Sequence, residues 1–202
     1  MADKVSSGSK KNTFLRVSFI LYIISVCAFL LLLFDTVSYS GGLAKFTLEG
    51  ADFYANCLRF IADLLILIGF WKTRRNGLLT AGFLINVIPQ AFDLLIHFNG
   101  MKETMINCLA FVATLFLIVF YFIMTGLTVA GKAKNEAYLF AKIAVLISVF
   151  FWVISDIANL AASGMQGIFT AVFLGIDFMQ IVTLGLWGIL LPNYLKRTSE
   201  TV

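Results

Sequence analysis

Six long apolar stretches run through this chain, and they decide what it can fold into. They lie at 14–34, 53–71, 78–98, 104–128, 138–162 and 168–191. A helix needs about 20 apolar residues to cross the ~30 Å hydrocarbon core of a bilayer, and each stretch has roughly that length. The stretches lack the two-residue alternation of membrane strands. We therefore predict an all-α, polytopic membrane bundle of six transmembrane helices.

The amino-acid composition also indicates that lipid, and not water, surrounds most of this chain. Sixty per cent of the 202 residues are apolar and 13% are charged, a balance that the polar surface of a water-soluble globule cannot cover. We predict one six-helix transmembrane domain over 13–195. We predict a disordered cytoplasmic tail at 1–12, because the residues of this segment are small, polar or basic. A second cytoplasmic tail is predicted at 196–202.

The basic residues predict how the helices are oriented. Twelve of the fifteen lie at one end of the predicted helices, against Lys45, Arg59 and Lys102 at the other. Lys and Arg near helix ends resist translocation, so both termini are predicted to be cytoplasmic. The net charge of +4 then follows from topology and from contact with anionic lipid, and it does not indicate nucleic acid. We expect a multi-pass protein of a bacterial cell membrane.

A weak internal repeat divides the chain into pairs of helices. The sequence NCLRF at 56–60 returns as NCLAF at 107–111, at the start of the second and fourth stretches. The first, third and fifth stretches each have an aspartate near the outer end, followed by a glycine six to eight residues later; these are Asp35, Asp93 and Asp156. The pattern favours three tandem helical hairpins. The alternative is a chance match within apolar sequence.

Four aspartates fall in the middle or outer half of the predicted helices: Asp63, Asp93, Asp156 and Asp177. An ionised group at the centre of a membrane helix costs about 2.5–3.5 kcal/mol on insertion scales, so each one needs a partner, a proton or a function. Arg59 stands four residues before Asp63, the spacing of one helical face, which predicts a structural ion pair. His97 stands four residues after Asp93 and predicts an interfacial pair.

Asp156 and Asp177 have polar neighbours but no cationic residue close to them in sequence. Asn159 follows Asp156, and Gln180 follows Asp177. Carboxylate and amide oxygens suit a hard cation, an amine or a proton in transit. The predicted substrate- or ion-binding site is an outward-facing acidic pocket, formed by Asp63, Asp93, Asp156, Asn159, Asp177 and Gln180. The alternative is that these residues are protonated or hydrogen-bonded parts of the structure.

Catalytic and cofactor motifs are missing from the sequence. It has one histidine and three cysteines, without metal-ligand spacing, a phosphate loop or a nucleophile elbow. We expect no enzyme activity, no cofactor and no metal site. The first function hypothesis is binding or transport of a small cationic solute, an ion or a proton across the lipid bilayer. The alternative is a non-catalytic accessory or assembly subunit that binds partner membrane subunits.

Overall fold

A computed structural model describes the central helices of the chain and part of its ends. The described residues are 20, 23, 24, 27, 48–71, 76–101, 104–130, 134–163, 178, 181–182, 184–186, 188–189 and 191–193. Within these ranges the backbone is helical except at the turns around residues 101, 104 and 134. The all-α class is therefore confirmed for this part of the chain. Both predicted cytoplasmic tails lie outside it.

Five helices, not six, are seen in the described ranges. Four are long: α1 is Leu48–Trp71, α2 is Asn76–Gly100, α3 is Met105–Ala130 and α4 is Asn135–Ser163. The fifth, α5, is a shorter apolar helix at Leu184–Asn193. Helices α1 to α4 match the second to fifth predicted stretches, and α5 lies at the end of the sixth.

Three helices are long and apolar enough to cross a membrane. They are Gly77–Gly100, Met105–Ala130 and Asn135–Ala162, with 24, 26 and 28 residues. At about 1.5 Å per residue each exceeds the ~30 Å hydrocarbon core. Helix α1 has 24 residues as well, but it carries Arg59 and Asp63 within its apolar run. The chain is therefore an integral membrane protein that crosses the bilayer more than once.

The long helices pack in chain order. Helix α1 contacts α2, α2 contacts α3, and α3 contacts α4, as expected where short connections join antiparallel neighbours. The apolar core includes Ile66 of α1, Phe83 of α2, Phe120 and Met124 of α3, and Val145 of α4. The buried positions of α3 include 113, 117, 120, 124 and 127. Their alternating spacing of four and three is that of a helix seam.

Helices α1 and α2 approach each other closely at Gly82. A Cβ atom built on Gly82 would lie 2.8 Å from the backbone oxygen of Ala62 and 3.0 Å from the backbone nitrogen of Ile66. Ala62 itself is fully buried. Small residues at such a crossing let two backbones meet, which is a common way for membrane helices to associate.

The turn between α2 and α3 gives a structural role to the repeated Asn-Cys pair. The hydroxyl oxygen of Thr104 accepts a hydrogen bond from the backbone N–H of Asn107 at 3.3 Å, the geometry of a helix N-cap. The side-chain amide of Asn107 donates to the carbonyl of Gly100 at 2.9 Å, and the Cys108 thiol donates to Met101 O at 3.5 Å. Asn107 thus joins the end of α2 to the start of α3.

Replacing Gly82 with alanine is expected to lower the free energy of unfolding by about 1–3 kcal/mol, because the added methyl group overlaps the α1 backbone. The matched control is Gly126→Ala on α3, where nothing lies within 4 Å of the added Cβ. That variant should be unchanged, or more stable by about 0.5–1 kcal/mol, since alanine favours the helix. Unfolding in mixed micelles measures both, and equal stability of the two variants would contradict the close packing.

Candidate functional site

An ion pair joins α1 to α2. The Nη2 atom of Arg59 donates to Oδ2 of Asp93 at 2.6 Å, and the two side chains are 25% and 21% exposed. So short a contact is typical of a charge-assisted hydrogen bond. The structure therefore gives Arg59 a partner on the neighbouring helix, where sequence spacing had favoured Asp63 on the same helix. The predicted pair of Arg59 with Asp63 stays a prediction.

Gln90 adds a second acceptor from α2 to the same guanidinium group. Its amide oxygen accepts from Arg59 Nη2 at 2.6 Å and from Arg59 Nε at 3.2 Å when the oxygen is assigned to that side. The opposite assignment would set an amide N–H against guanidinium donors. Gln90 is only 2% exposed. Arg59 is thus held by one anionic and one neutral side chain, both from α2.

Asp63 bonds to α2 through Asn86. The side-chain nitrogen of Asn86 donates to Oδ1 of Asp63 at 3.0 Å. Asn86 is fully buried, and its other amide atom, Oδ1, has no hydrogen-bond partner within the described part of the chain. Most buried polar atoms are hydrogen-bonded, because losing that bond costs about 1–3 kcal/mol. The Asn86 oxygen is therefore an unused acceptor beside a carboxylate.

Helix geometry explains why these side chains meet. Residues three and four apart share one helical face. On α2 this face carries Asn86, Gln90 and Asp93, and on α1 it carries Arg59 and Asp63. We call these five residues the α1–α2 polar cluster.

Helix α3 closes one side of the polar cluster without adding charge. Its sequence over Met105–Ala130 contains no Asp, Glu, Lys or Arg. Tyr121 of α3 is buried, and its ring centroid lies 6.3 Å from that of Phe83 on α2. Helix α3 therefore packs against the helix that carries Asn86, Gln90 and Asp93 with an uncharged surface.

A second polar region lies toward the C-terminal ends of α2 and α4. The ring of His97 meets the ring of Trp152 edge-on, with 5.9 Å between centroids. The Nδ1 atom of His97 is buried without a hydrogen-bond partner among the described residues. Asp156 follows Trp152 by one helical turn and is half-buried, while Asn159 is exposed. The predicted pair of His97 with Asp93 stays a prediction.

The structure brings together two of the predicted pocket residues, Asp63 and Asp93, in the polar cluster. Asp156 and Asn159 lie on α4, and Asp177 and Gln180 fall outside the described residues. Asn86 and Gln90, which complete the cluster, were not among the predicted site residues. Their signal in the sequence is their spacing from Asp93, which places all three on one face of α2.

No family model matches this chain, and no curated protein or solved structure is similar to it. Function is therefore inferred from the chemistry of the site. In the described residues no group of three or more His, Cys, Asp or Glu side chains could hold a metal ion. The chemistry available in the cluster is electrostatic, since it consists of a guanidinium, two carboxylates and two amides.

Breaking the Arg59–Asp93 ion pair from either side is expected to destabilise the protein. Arg59→Gln and Asp93→Asn should each lower the free energy of unfolding by about 3 kcal/mol, because the remaining charge is left in a low-dielectric region. The double variant should lose clearly less than the sum of the two.

The control for this cycle is Glu136→Gln, since Glu136 is an exposed acid at the start of α4. It should change stability by no more than about 0.5 kcal/mol. Strictly additive losses in the double variant would show that Arg59 and Asp93 do not interact in the membrane.

Proposed function

We propose that this protein binds a small cationic solute, an ion or a proton in the α1–α2 polar cluster and carries it across the membrane. The observation that supports this function most is at Asn86, whose amide nitrogen donates to the Asp63 carboxylate and whose buried amide oxygen has no hydrogen-bond partner in the described part of the chain. Ionisable groups are costly at this depth, and in membrane proteins they commonly mark ion pathways and proton relays.

The proposed topology has six transmembrane helices in three tandem hairpins, with both termini in the cytoplasm of a bacterial cell. Its support is the excess of basic residues at one end of the helices and the packing of α1 to α4 in chain order. In this orientation Arg59 and Asp93 lie in the outer half of the bilayer. The cluster would then receive its ligand from outside.

The residues have different proposed roles. Asp63 and Asn86 contact the ligand, while the bonds of Arg59 to Asp93 and Gln90 hold α1 against α2. We further propose that Asp156, Asn159, Asp177 and Gln180 line the outer approach, where their oxygens attract cations. Neither a catalytic step nor a cofactor is part of this proposal.

The second candidate function is a non-catalytic accessory or assembly subunit. Its support is that the cluster bonds neighbouring helices of the same chain, as a purely structural network would. Several large apolar side chains also point outward, including Ile88, Leu95, Phe150 and Ile157; lipid or partner membrane subunits would cover them. In that case the cluster stabilises the fold and moves no solute.

Transport is testable in proteoliposomes. Purified protein is reconstituted with a pH-sensitive dye and a sodium-sensitive dye inside, and the outside buffer is switched to sodium, methylammonium or lower pH. Wild-type protein should raise the influx of at least one of these above that of protein-free vesicles. Asp63→Asn should slow that influx by about tenfold or more, as expected if it removes an interaction of roughly 1.4 kcal/mol.

Glu136→Gln serves again as the matched control, because it removes an acid that lies away from the cluster, and it should retain the wild-type influx. Equal influx in wild-type vesicles and protein-free vesicles for all three solutes would favour the accessory subunit. Equal influx in wild type and Asp63→Asn would remove the cluster from the pathway.

A further inference from the structure

We infer that Lys142 and the outward face of α4 form a binding site for one anionic phospholipid, at the end of the bundle where α4 begins. The ammonium group binds the phosphate of the lipid, and the acyl chains lie along the apolar side chains of that face. The inference goes beyond the proposed transport function and does not depend on it, since Lys142 lies outside the α1–α2 polar cluster.

The first support is that Lys142 lacks an anionic partner. Its Nζ atom donates to the side-chain oxygen of Asn193 on α5 at 2.5 Å, and that oxygen is neutral. Among the described residues no acidic side chain forms an ion pair with Lys142. Asn193 in turn donates through its amide nitrogen to the carbonyl of Ile189 at 3.0 Å, so this contact between α4 and α5 adds no negative charge. A phosphate group would give the ammonium group a charged acceptor.

The second support is the depth of Lys142 along its helix. The apolar span Asn135–Ala162 has 28 residues, about 42 Å at 1.5 Å per residue, and it exceeds the ~30 Å hydrocarbon core by about 12 Å. With that excess shared between the two ends, the core begins about 6 Å along the helix. Lys142 lies about 10 Å along it. A lysine side chain just inside the core reaches the headgroup phosphates while its methylene groups stay in apolar surroundings.

The third support is that Lys142 lies at the border between the packed face and the outward face of α4. On the packed face, Val145 contacts α5 so closely that a Cβ atom built on Gly188 would overlap its side chain. The outward face carries large apolar side chains that are 42–60% exposed: Leu139, Ile143, Leu146 and Phe150. Their spacing of three and four residues makes one continuous stripe along the helix. A cation at one end of an exposed apolar stripe matches the shape and the charge of a phospholipid.

The charge of Lys142 also selects the kind of lipid. A zwitterionic headgroup brings its own cation close to the ammonium group, whereas an anionic headgroup brings only the opposite charge. In the proposed topology the start of α4 lies on the cytoplasmic side, where anionic lipids attract Lys and Arg near the membrane surface. Phosphatidylglycerol is therefore the matching probe, and phosphatidylcholine is the comparison.

The test is thermal unfolding of the purified protein in detergent micelles, titrated with phosphatidylglycerol or with phosphatidylcholine of the same acyl chains. Wild type should melt at higher temperature with phosphatidylglycerol and shift clearly less with phosphatidylcholine, because a lipid that binds only the folded state stabilises it by mass action. Lys142→Met should need about fivefold more phosphatidylglycerol for the same shift, as expected for the loss of one contact between a lysine and an anionic lipid. Equal shifts of wild type with the two lipids overturn the inference without any variant.

Two further variants separate a specific site from general attraction and from a damaged fold. Lys134→Gln is the matched control, because Lys134 is exposed just before α4 and its loss changes the net charge by the same amount. Lys134→Gln should keep the wild-type response to phosphatidylglycerol, and so should Lys142→Arg, which retains a cation at the site. Equal weakening in Lys142→Met and Lys134→Gln overturns the site, as does a wild-type response in Lys142→Met.

Other occupants of the same face give different results. Glycerol phosphate offers the phosphate group without acyl chains, so it should not shift the melting temperature at the concentrations used for the lipid; a shift as large as that of the lipid overturns the role of the apolar stripe. The molar mass of the protein in micelles, measured by light scattering, should be the same for wild type and Lys142→Met. A lower mass for the variant would show that a second copy of the chain covers this face, and would overturn the inference.

Discussion

Charged side chains within a lipid-embedded bundle must find their partners inside the protein, and the Arg59–Asp93 ion pair is where this constraint acts most strongly. The 2.6 Å contact between Arg59 Nη2 and Asp93 Oδ2 gives each of these charges an opposite partner. The amide oxygen of Gln90 accepts two further hydrogen bonds from the guanidinium group of Arg59. Because Arg59 is on α1 and Asp93 is on α2, the two charges are paired only when these helices pack against each other.

The rest of the cluster depends on that packing. Gly82 lets the α2 backbone approach Ala62 and Ile66 of α1, so short polar side chains such as Asp63 and Asn86 can meet across the interface. A wider spacing would move these groups beyond hydrogen-bond reach. Helix α3 then covers one side with apolar residues and Tyr121, which keeps the local dielectric constant low and strengthens each interaction in the cluster.

Apolar length and basic flanks in the sequence were enough to predict helices at the positions of α1 to α4. Helix α1 begins five residues earlier than the predicted 53–71, at Leu48, because polar residues can continue a helix past the apolar run. The spacing of Arg59 and Asp63 showed that they share one face of α1, but it did not show that Arg59 bonds to Asp93 on α2. Which acid faces Arg59 depends on how α1 and α2 are rotated against each other, and residue spacing along one helix does not show this.

Isotope-edited infrared spectroscopy of the aspartate carboxyl groups tests most directly whether Asp63 contacts a cation, as the proposed function requires. With sodium present, wild type should show Asp63 as an ionised carboxylate. In choline, a proton should take the place of the ion, so that a protonated carboxyl band appears in wild type and is missing in Asp63→Asn. Identical wild-type spectra in the two salts, or a protonated band that remains in Asp63→Asn, would contradict the account.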